Sequence, residues 1–332
     1  MTQAKTYLVT GGTGFIGSAL VRRLVRDGHR VRVLDNDVRG RAGRLDDIKG
    51  EIELVSADIR DAIKVAAAIQ GVDGVFHLAF INGTEFFYSR PELVLDVGVR
   101  GMVNVIDGCL QHDVGELILA SSSEVYQTPP KVPTDETVAL CVPDPTNPRY
   151  SYGGGKLISE IMAINYGRER FERVQIFRPH NVYGPDMGWE HVLPQFVLRM
   201  KALAAAHPSG EIPFPIQGTG AETRAFVFID DFIDGVMIMV AKGEHLGIYH
   251  IGNEEEVSIA EVAGLVARHF GRDIELVHGD APAGQTPRRC PDISKLRALG
   301  YAPGVPLSDG LPVLARWYDA NAAMAPAVGL KE

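Results

Sequence analysis

The 332-residue chain lacks any apolar run of about 18 residues, the shortest that reads as a membrane-crossing helix, so no membrane partner is expected. Cysteine is scarce. Cys109, Cys141 and Cys290 are odd in number and widely spaced. They assemble neither a disulfide framework nor a zinc pattern and read as reduced, structural thiols of a cytoplasmic protein. A secretory leader finds no room, because strand-like Thr6-Tyr7-Leu8-Val9-Thr10 stands almost at the first residue. An excess of positive charge is missing too: 33 Lys and Arg against 42 Asp and Glu give a net charge of −9, and the basic residues are scattered. That balance argues against nucleic acid as a partner. His77 and His180 lack metal-ligand spacing to another histidine or acid, so they read as packing or loop residues and no metal is expected.

What the chain does have is 45% hydrophobic residues, ample for one large α/β unit or two closely joined lobes. Tyr7 to Thr10, Arg30 to Leu34, Glu51 to Val55, Gly74 to Leu78, Leu117 to Ala120 and Val174 to Phe177 are short strand-like runs separated by helical stretches. This alternation predicts an α/β fold of Rossmann type, a doubly wound parallel sheet. Past Asn181, Gly and Pro become frequent, and helices are expected near Asp230 to Ala241 and Ser258 to Phe270. Strand-like Ala225 to Ile229 and Ile248 to Ile251 are expected to return to the main sheet. The division is therefore residues 1–180 with about 225–251 as a dinucleotide-binding domain, and 181–224 with 252–320 as a smaller, interleaved substrate lobe. The Ala-rich stretch after Trp317 reads as loose.

The first strand runs into Gly11-Gly12-Thr13-Gly14-Phe15-Ile16-Gly17 and then a helical stretch from Ser18. Gly11, Gly14 and Gly17 allow the sharp turn and the close backbone approach that a pyrophosphate at a helix N-terminus requires. An acid closing the next strand, Asp35, completes a dinucleotide fingerprint. It would accept from ribose hydroxyls and repel a 2′-phosphate, which predicts NAD over NADP, although Arg39 and Arg41 follow closely. Asp58, at the end of the third strand, suits the adenine amine. Tyr152 and Lys156 share a helix face at i and i+4, where an ammonium lowers a phenol's pKa and so makes a base of it.

These residues belong to a longer pattern: Thr10 to Gly17, Phe76-His77-Leu78-Ala79, Ser121-Ser122-Ser123-Glu124-Val125-Tyr126, Tyr152 with Lys156, Arg178-Pro179-His180-Asn181-Val182-Tyr183-Gly184-Pro185, and Arg224-Ala225-Phe226-Val227-Phe228-Ile229-Asp230-Asp231. In these blocks the chain resembles the extended short-chain dehydrogenases/reductases, within them the NAD-dependent nucleotide-sugar epimerase/dehydratase family. The resemblance implies that Ser122 binds the reacting sugar hydroxyl, Tyr152 takes its proton, and Lys156 holds the nicotinamide ribose. It places Phe15, Ile16, Ile59, Leu78 and Ala79 around the cofactor. Ser123, Asn181, Arg224 and Arg289 fall among the substrate ligands, the arginines on phosphate.

All members begin by oxidising C4 of a nucleotide-diphosphate sugar; 4-epimerases, 4,6-dehydratases and decarboxylases part ways at the ketone. Glu124 points to acid–base work at C5, as in dehydratases and decarboxylases. Ser123, where dehydratases carry an acid, and Gly153-Gly154-Gly155, without the acid that decarboxylases commonly show, point back to a 4-epimerase. The sequence reading is accordingly an epimerase, with dehydratase or decarboxylase as alternatives and a catalytically silent NAD-binding protein as one of another class. Residues 189–194 and 214–219 are expected to be specificity loops. Two helical stretches, Pro91 to His112 and Tyr152 to Tyr166, carry apolar residues on two sides, which suggests a homodimer sealed by a four-helix bundle.

Overall fold

A computed structural model describes residues 4–280 and 286–325. Its strands are β1 (Thr6–Thr10), β2 (Arg30–Asp35), β3 (Ile52–Ser56), β4 (Gly74–His77), β5 (Glu116–Ala120), β6 (Arg173–Pro179), β7 (Val182–Tyr183), β8 (Ile212–Gln217), β9 (Thr223–Ala225), β10 (Val227–Phe228), β11 (Gly247–Ile251), β12 (Glu256–Ser258), β13 (Ile274–Gly279) and β14 (Arg288–Arg289). Seven of them form one parallel sheet in the order β3-β2-β1-β4-β5-β6-β11. The order reverses between β1 and β4, and ligands of open α/β sheets bind in the crevice at such a switch point. Every residue of β5 is buried. A strand covered on both faces reads as an unbroken apolar run, which makes central strands such as β4 and β5 legible in the sequence.

The helices are α1 (Phe15–Arg26), α2 (Ala62–Ile69), α3 (Thr84–Ser89), α4 (Pro91–Leu95), α5 (Gly101–Gln111), α6 (Ser151–Arg170), α7 (Val192–Ala206), α8 (Ile229–Lys242), α9 (Ile259–His269), α10 (Ser294–Arg297) and α11 (Leu307–Ala320). A π-helical turn, Asp96–Arg100, joins α4 to α5. In α1, Leu20, Val21 and Leu24 point into the core, the spacing of an amphipathic helix. Ser258 caps α9 reciprocally with Glu261, a capping box that fixes its start.

The C-terminal half departs from expectation in three places. Ile248 to Ile251 does return to the main sheet, as part of β11 beside β6. Ala225 to Ile229 does not: Ala225 ends β9, which pairs with β12 and β14, β10 pairs with β7, and Ile229 already opens α8. Asp230 and Asp231 in the first turn favour that helix start through its dipole. Second, Phe214–Gln217 is not a loop but most of β8, paired in parallel with β13. Pro213 and Pro215 point outward there, an arrangement a two-stranded sheet tolerates. Third, the chain remains helical beyond Trp317 to Ala320, and buried Tyr318 donates to the carbonyl of Met187; residues 326–332 lie outside the described part.

Candidate active site

The C-terminal ends of β1, β2, β4, β5 and β6 open into a cleft of about 750 Å³. At one end Gly11 turns with φ +72°, and a Cβ there would come within 2.8 Å of the backbone nitrogen of Ala79. A Cβ on Gly17 would collide with the carbonyl oxygen of Gly11. Helix α1 begins at this turn with no side-chain cap and no acid in its first turn, so its free N–H groups and dipole face the cleft, as an anion site requires. Asp35 accepts from the backbone nitrogens of Thr13 (3.1 Å) and Asp37 (3.0 Å), which fixes its carboxylate beside the glycine turn. This cradle fits a dinucleotide: glycines for the pyrophosphate, a carboxylate for the ribose.

Asp58 lines the cleft beside Ile59 and is held by Arg60 (2.7 Å) and Asn36 (3.1 Å). The Arg60 hydrogen bonds keep its carboxyl below the usual carboxylate range. Arg39 pairs with Glu190, and Arg41 with Asp186 at 2.6 Å. The two arginines that followed Asp35 in sequence are therefore engaged by acids of another segment. Arg44 grips the same Asp186 (2.9 and 3.0 Å) and also donates to the carbonyl of Thr13 in the glycine turn (3.0 Å).

The reacting pair stands at the other end. Helix α6 carries Tyr152 and Lys156, both buried. Lys156 donates to the carbonyl of Ala120 at the tip of β5 (2.6 Å). Its ammonium stands 5.9 Å from the centre of the Tyr152 ring and 4.2 Å from that of Phe80. Phe87 stacks on Tyr152 at 5.1 Å between ring centres. Ser122 begins a 3₁₀ turn, Ser123–Tyr126, its hydroxyl accepting from the Glu124 backbone (3.2 Å).

The expectation that Lys156 lowers the phenol needs correction. Burial pushes Tyr152 above the ordinary tyrosine value; the Ser122 hydroxyl pulls it back only in part, and the Glu124 charge adds to the rise. Burial also drives Lys156 down to about 7, with Glu160 opposing. Desolvation acts on both groups, and the lysine's contact is with Ala120 rather than the phenol.

Glu124 forms an ion pair with Arg289, and both line the cleft together with Ser123 and Asn181. Asn181 donates to the carbonyl of Ala225 (2.9 Å). Arg224 does not line it. It sits directly across from Arg289, where β9 meets β14, and burial together with the Arg289 charge lowers it to about 10. Two cations pressed together make a place for a polyanion. The 189–194 segment contributes Glu190, His191, Val192 and Leu193 to the walls, whereas 214–219 contributes nothing.

A family model described as "NAD dependent epimerase/dehydratase family" matches residues 7–252. The chain belongs to this family. UDP-glucuronic acid decarboxylase 1 of Xenopus tropicalis is 32% identical over 312 residues, 92% of this chain and 70% of that protein. DesIV, the dTDP-glucose 4,6-dehydratase of Streptomyces venezuelae solved with NAD, is 30% identical with a TM-score of 0.83, covering 97% of this chain and 99% of that one. The UDP-glucose 4-epimerase of Thermus thermophilus in complex with NAD is 26% identical with a TM-score of 0.81, over 97% and 100%. Like them, the chain is an NAD-dependent enzyme of the nucleotide-sugar epimerase, dehydratase and decarboxylase group.

Sequence reasoning missed Phe80 beside the reacting pair. It also passed over Glu160, which lies one turn beyond Lys156 and accepts from Arg178 (2.9 and 2.6 Å) and from Ser121 in the protein interior. The i+4 spacing from Lys156 was the available signal for Glu160. No spacing announces Phe80.

Proposed function

We propose that the enzyme oxidises a nucleotide-diphosphate hexuronate at C4 and releases its C5 carboxylate as carbon dioxide, giving a nucleotide-diphosphate pentose. The Glu124–Arg289 ion pair beside Ser122 and Tyr152 carries this reading. A neutral hexose offers nothing for that pair to do. A hexuronate carboxylate can exchange for Glu124 on the guanidinium, whose planar fork suits it. Similarity to a UDP-glucuronic acid decarboxylase over 92% of the chain supports the same substrate class.

In this scheme Asn181 borders the sugar diphosphate, Arg289 takes the carboxylate, and Arg224, outside the cleft lining, adds its charge from behind Arg289. Ser122 holds the C4 hydroxyl and Tyr152 removes its proton; the positive nicotinamide of bound NAD is what would offset the rise that burial gives the phenol. NAD held at the Gly11–Gly17 turn and Asp35 would supply a hydride acceptor for C4 and, once reduced, a hydride donor. With C4 a ketone, the C5–carboxylate bond breaks, carbon dioxide leaves and the electron pair enters an enolate. Ser122 and Tyr152 hydrogen-bond the enolate oxygen. Glu124, freed from Arg289 and protonated from solvent, passes that proton to C5, so the hydrogen gained at C5 comes from water.

A 4-epimerase is the second reading. It is favoured by Ser123, which is no acid, since Ser122, Tyr152 and Lys156 suffice for oxidation and re-reduction. Proton NMR with NAD and UDP-glucuronic acid in D2O separates the two. A UDP-pentose with deuterium at C5 is expected, and the Glu124→Gln enzyme should fail to form it. A C4 epimer without deuterium would replace the decarboxylase reading with the second.

The working unit we infer is a homodimer. Leu95 and Val103 on α4 and α5, and Ile158, Ile161 and Tyr166 on α6, are 37 to 53% exposed. Two such helix pairs meeting face to face bury these stripes in a four-helix bundle.

A further inference from the structure

The ring of Phe80 follows the β4 motif Phe76-His77-Leu78-Ala79 and lies in a slot between two glycines. A Cβ on Gly98, in the π-helical turn, would collide with the tip of the ring, and one on Gly155, in α6, would come within 3.0 Å of it. From this slot the ring presents its face to the Lys156 ammonium at 4.2 Å and stands edge-on to Tyr152, ring centres 5.1 Å apart. Lys156 has one hydrogen bond to protein, from its ammonium to the Ala120 carbonyl. Its other near charges are His77 on β4, held neutral by burial and by Lys156 itself, and Glu160, which Arg178 already satisfies. The aromatic face is therefore the second principal contact of a buried cation, and such contacts strengthen when water is excluded.

We propose that Phe80 is a positioning residue of the active site, seated by Gly98 and Gly155 so that its π face stabilises the Lys156 ammonium and its edge sets the angle of the Tyr152 ring. This rests on the Tyr152–Lys156 pair that all the reactions considered share, and not on decarboxylation.

Two substitutions at Phe80 pull in opposite directions. Phe80→Leu removes the aromatic face and keeps the slot dry, so the ammonium loses stabilisation and becomes about tenfold more acidic. Phe80→Ala lets water reach Lys156, relieves burial and makes it less acidic. The measurement is an NMR titration of protein labelled at lysine Cε and Nζ, with the Lys156 signal assigned through Lys156→Met; it needs no substrate. Gly98→Ala, which drives a methyl group into the ring, should reproduce the Leu effect, and Phe80→Met keeps the apolar volume should the Leu variant not fold. With UDP-glucuronic acid as the probe, Phe80→Leu should lower kcat about tenfold with KM within twofold. A Lys156 titration that superimposes on the native one, or that moves the same way in the Leu and Ala variants, overturns the proposal in favour of plain packing. A normal titration shift without turnover of UDP-glucuronic acid instead places the fault with the decarboxylase reading.

Discussion

Lys156 is a cation in a dry place, and its burial has a consequence for stability as well as for chemistry. Its folded value of about 7 lies below the ordinary lysine value of roughly 10.4. Between those two values the unfolded chain binds more protons than the folded one, so the group makes the unliganded protein more stable as pH rises through that window. Urea unfolding from pH 7 to 10 should show this slope, integrating to roughly 4 kcal/mol, and Lys156→Met should flatten it; an identical slope in the variant would mean that the ammonium is better solvated than its surroundings indicate. Tyr152→Phe should cut turnover by about 10² to 10⁴-fold, the range for a lost general base. NAD binding, followed by fluorescence, should survive because Phe80 and Phe87 hold the ring rather than its hydroxyl. At this scale the turn of Gly11 and Gly17 was legible in the sequence because it is local, and Asp35 because it closes the next strand of the same sheet. Phe80 was not, since its meaning depends on Gly98 and Gly155 arriving from two other segments.

Among the elements, α6 does two jobs. Tyr152, Lys156 and Glu160 face the sheet, while Ile158, Ile161 and Tyr166 remain exposed. The sequence shows apolar residues all round and predicts burial on both sides; the chain by itself covers only one. A charge in the middle of the open face should stop a second copy from docking, so Ile161→Glu is expected to sediment as a monomer of about half the native mass, with its circular dichroism unchanged. A native protein that already sediments as a monomer would remove the need for a bundle. Legibility fell in the second half of the chain for a physical reason. The N-terminal strands of the main sheet have four to seven residues each, whereas β7, β9, β10, β12 and β14 have two or three, too few for a period to show.

For the molecule as a whole, the cofactor end of the cleft is closed by charge. The Arg39–Glu190 pair and the grip of Arg41 and Arg44 on Asp186 tie the segment after β2 to the segment after β7, across the glycine turn. Arg44 and Asp186 are mostly buried side chains, so salt should weaken this link only in part, whereas removing the carboxylate breaks it. Asp186→Asn is expected to release NAD severalfold faster in a stopped-flow chase with excess unlabelled cofactor, while retaining its fold; release at the native rate would mean that the link does not hold the cofactor in place. The same pairs occupy Arg39 and Arg41, the two arginines that follow Asp35 most closely in sequence.

The hydrogen bond from Tyr318 to Met187 joins this clasp to α11. Met187 follows Asp186 directly, and the Trp189 ring packs edge-on to Tyr318, ring centres 4.8 Å apart. During synthesis the glycine turn leaves the ribosome first and Tyr318 about 300 residues later, an interval of roughly 15 to 60 s at ordinary elongation rates. The nucleotide cradle is therefore made well before the helix whose Tyr318 buttresses its clasp.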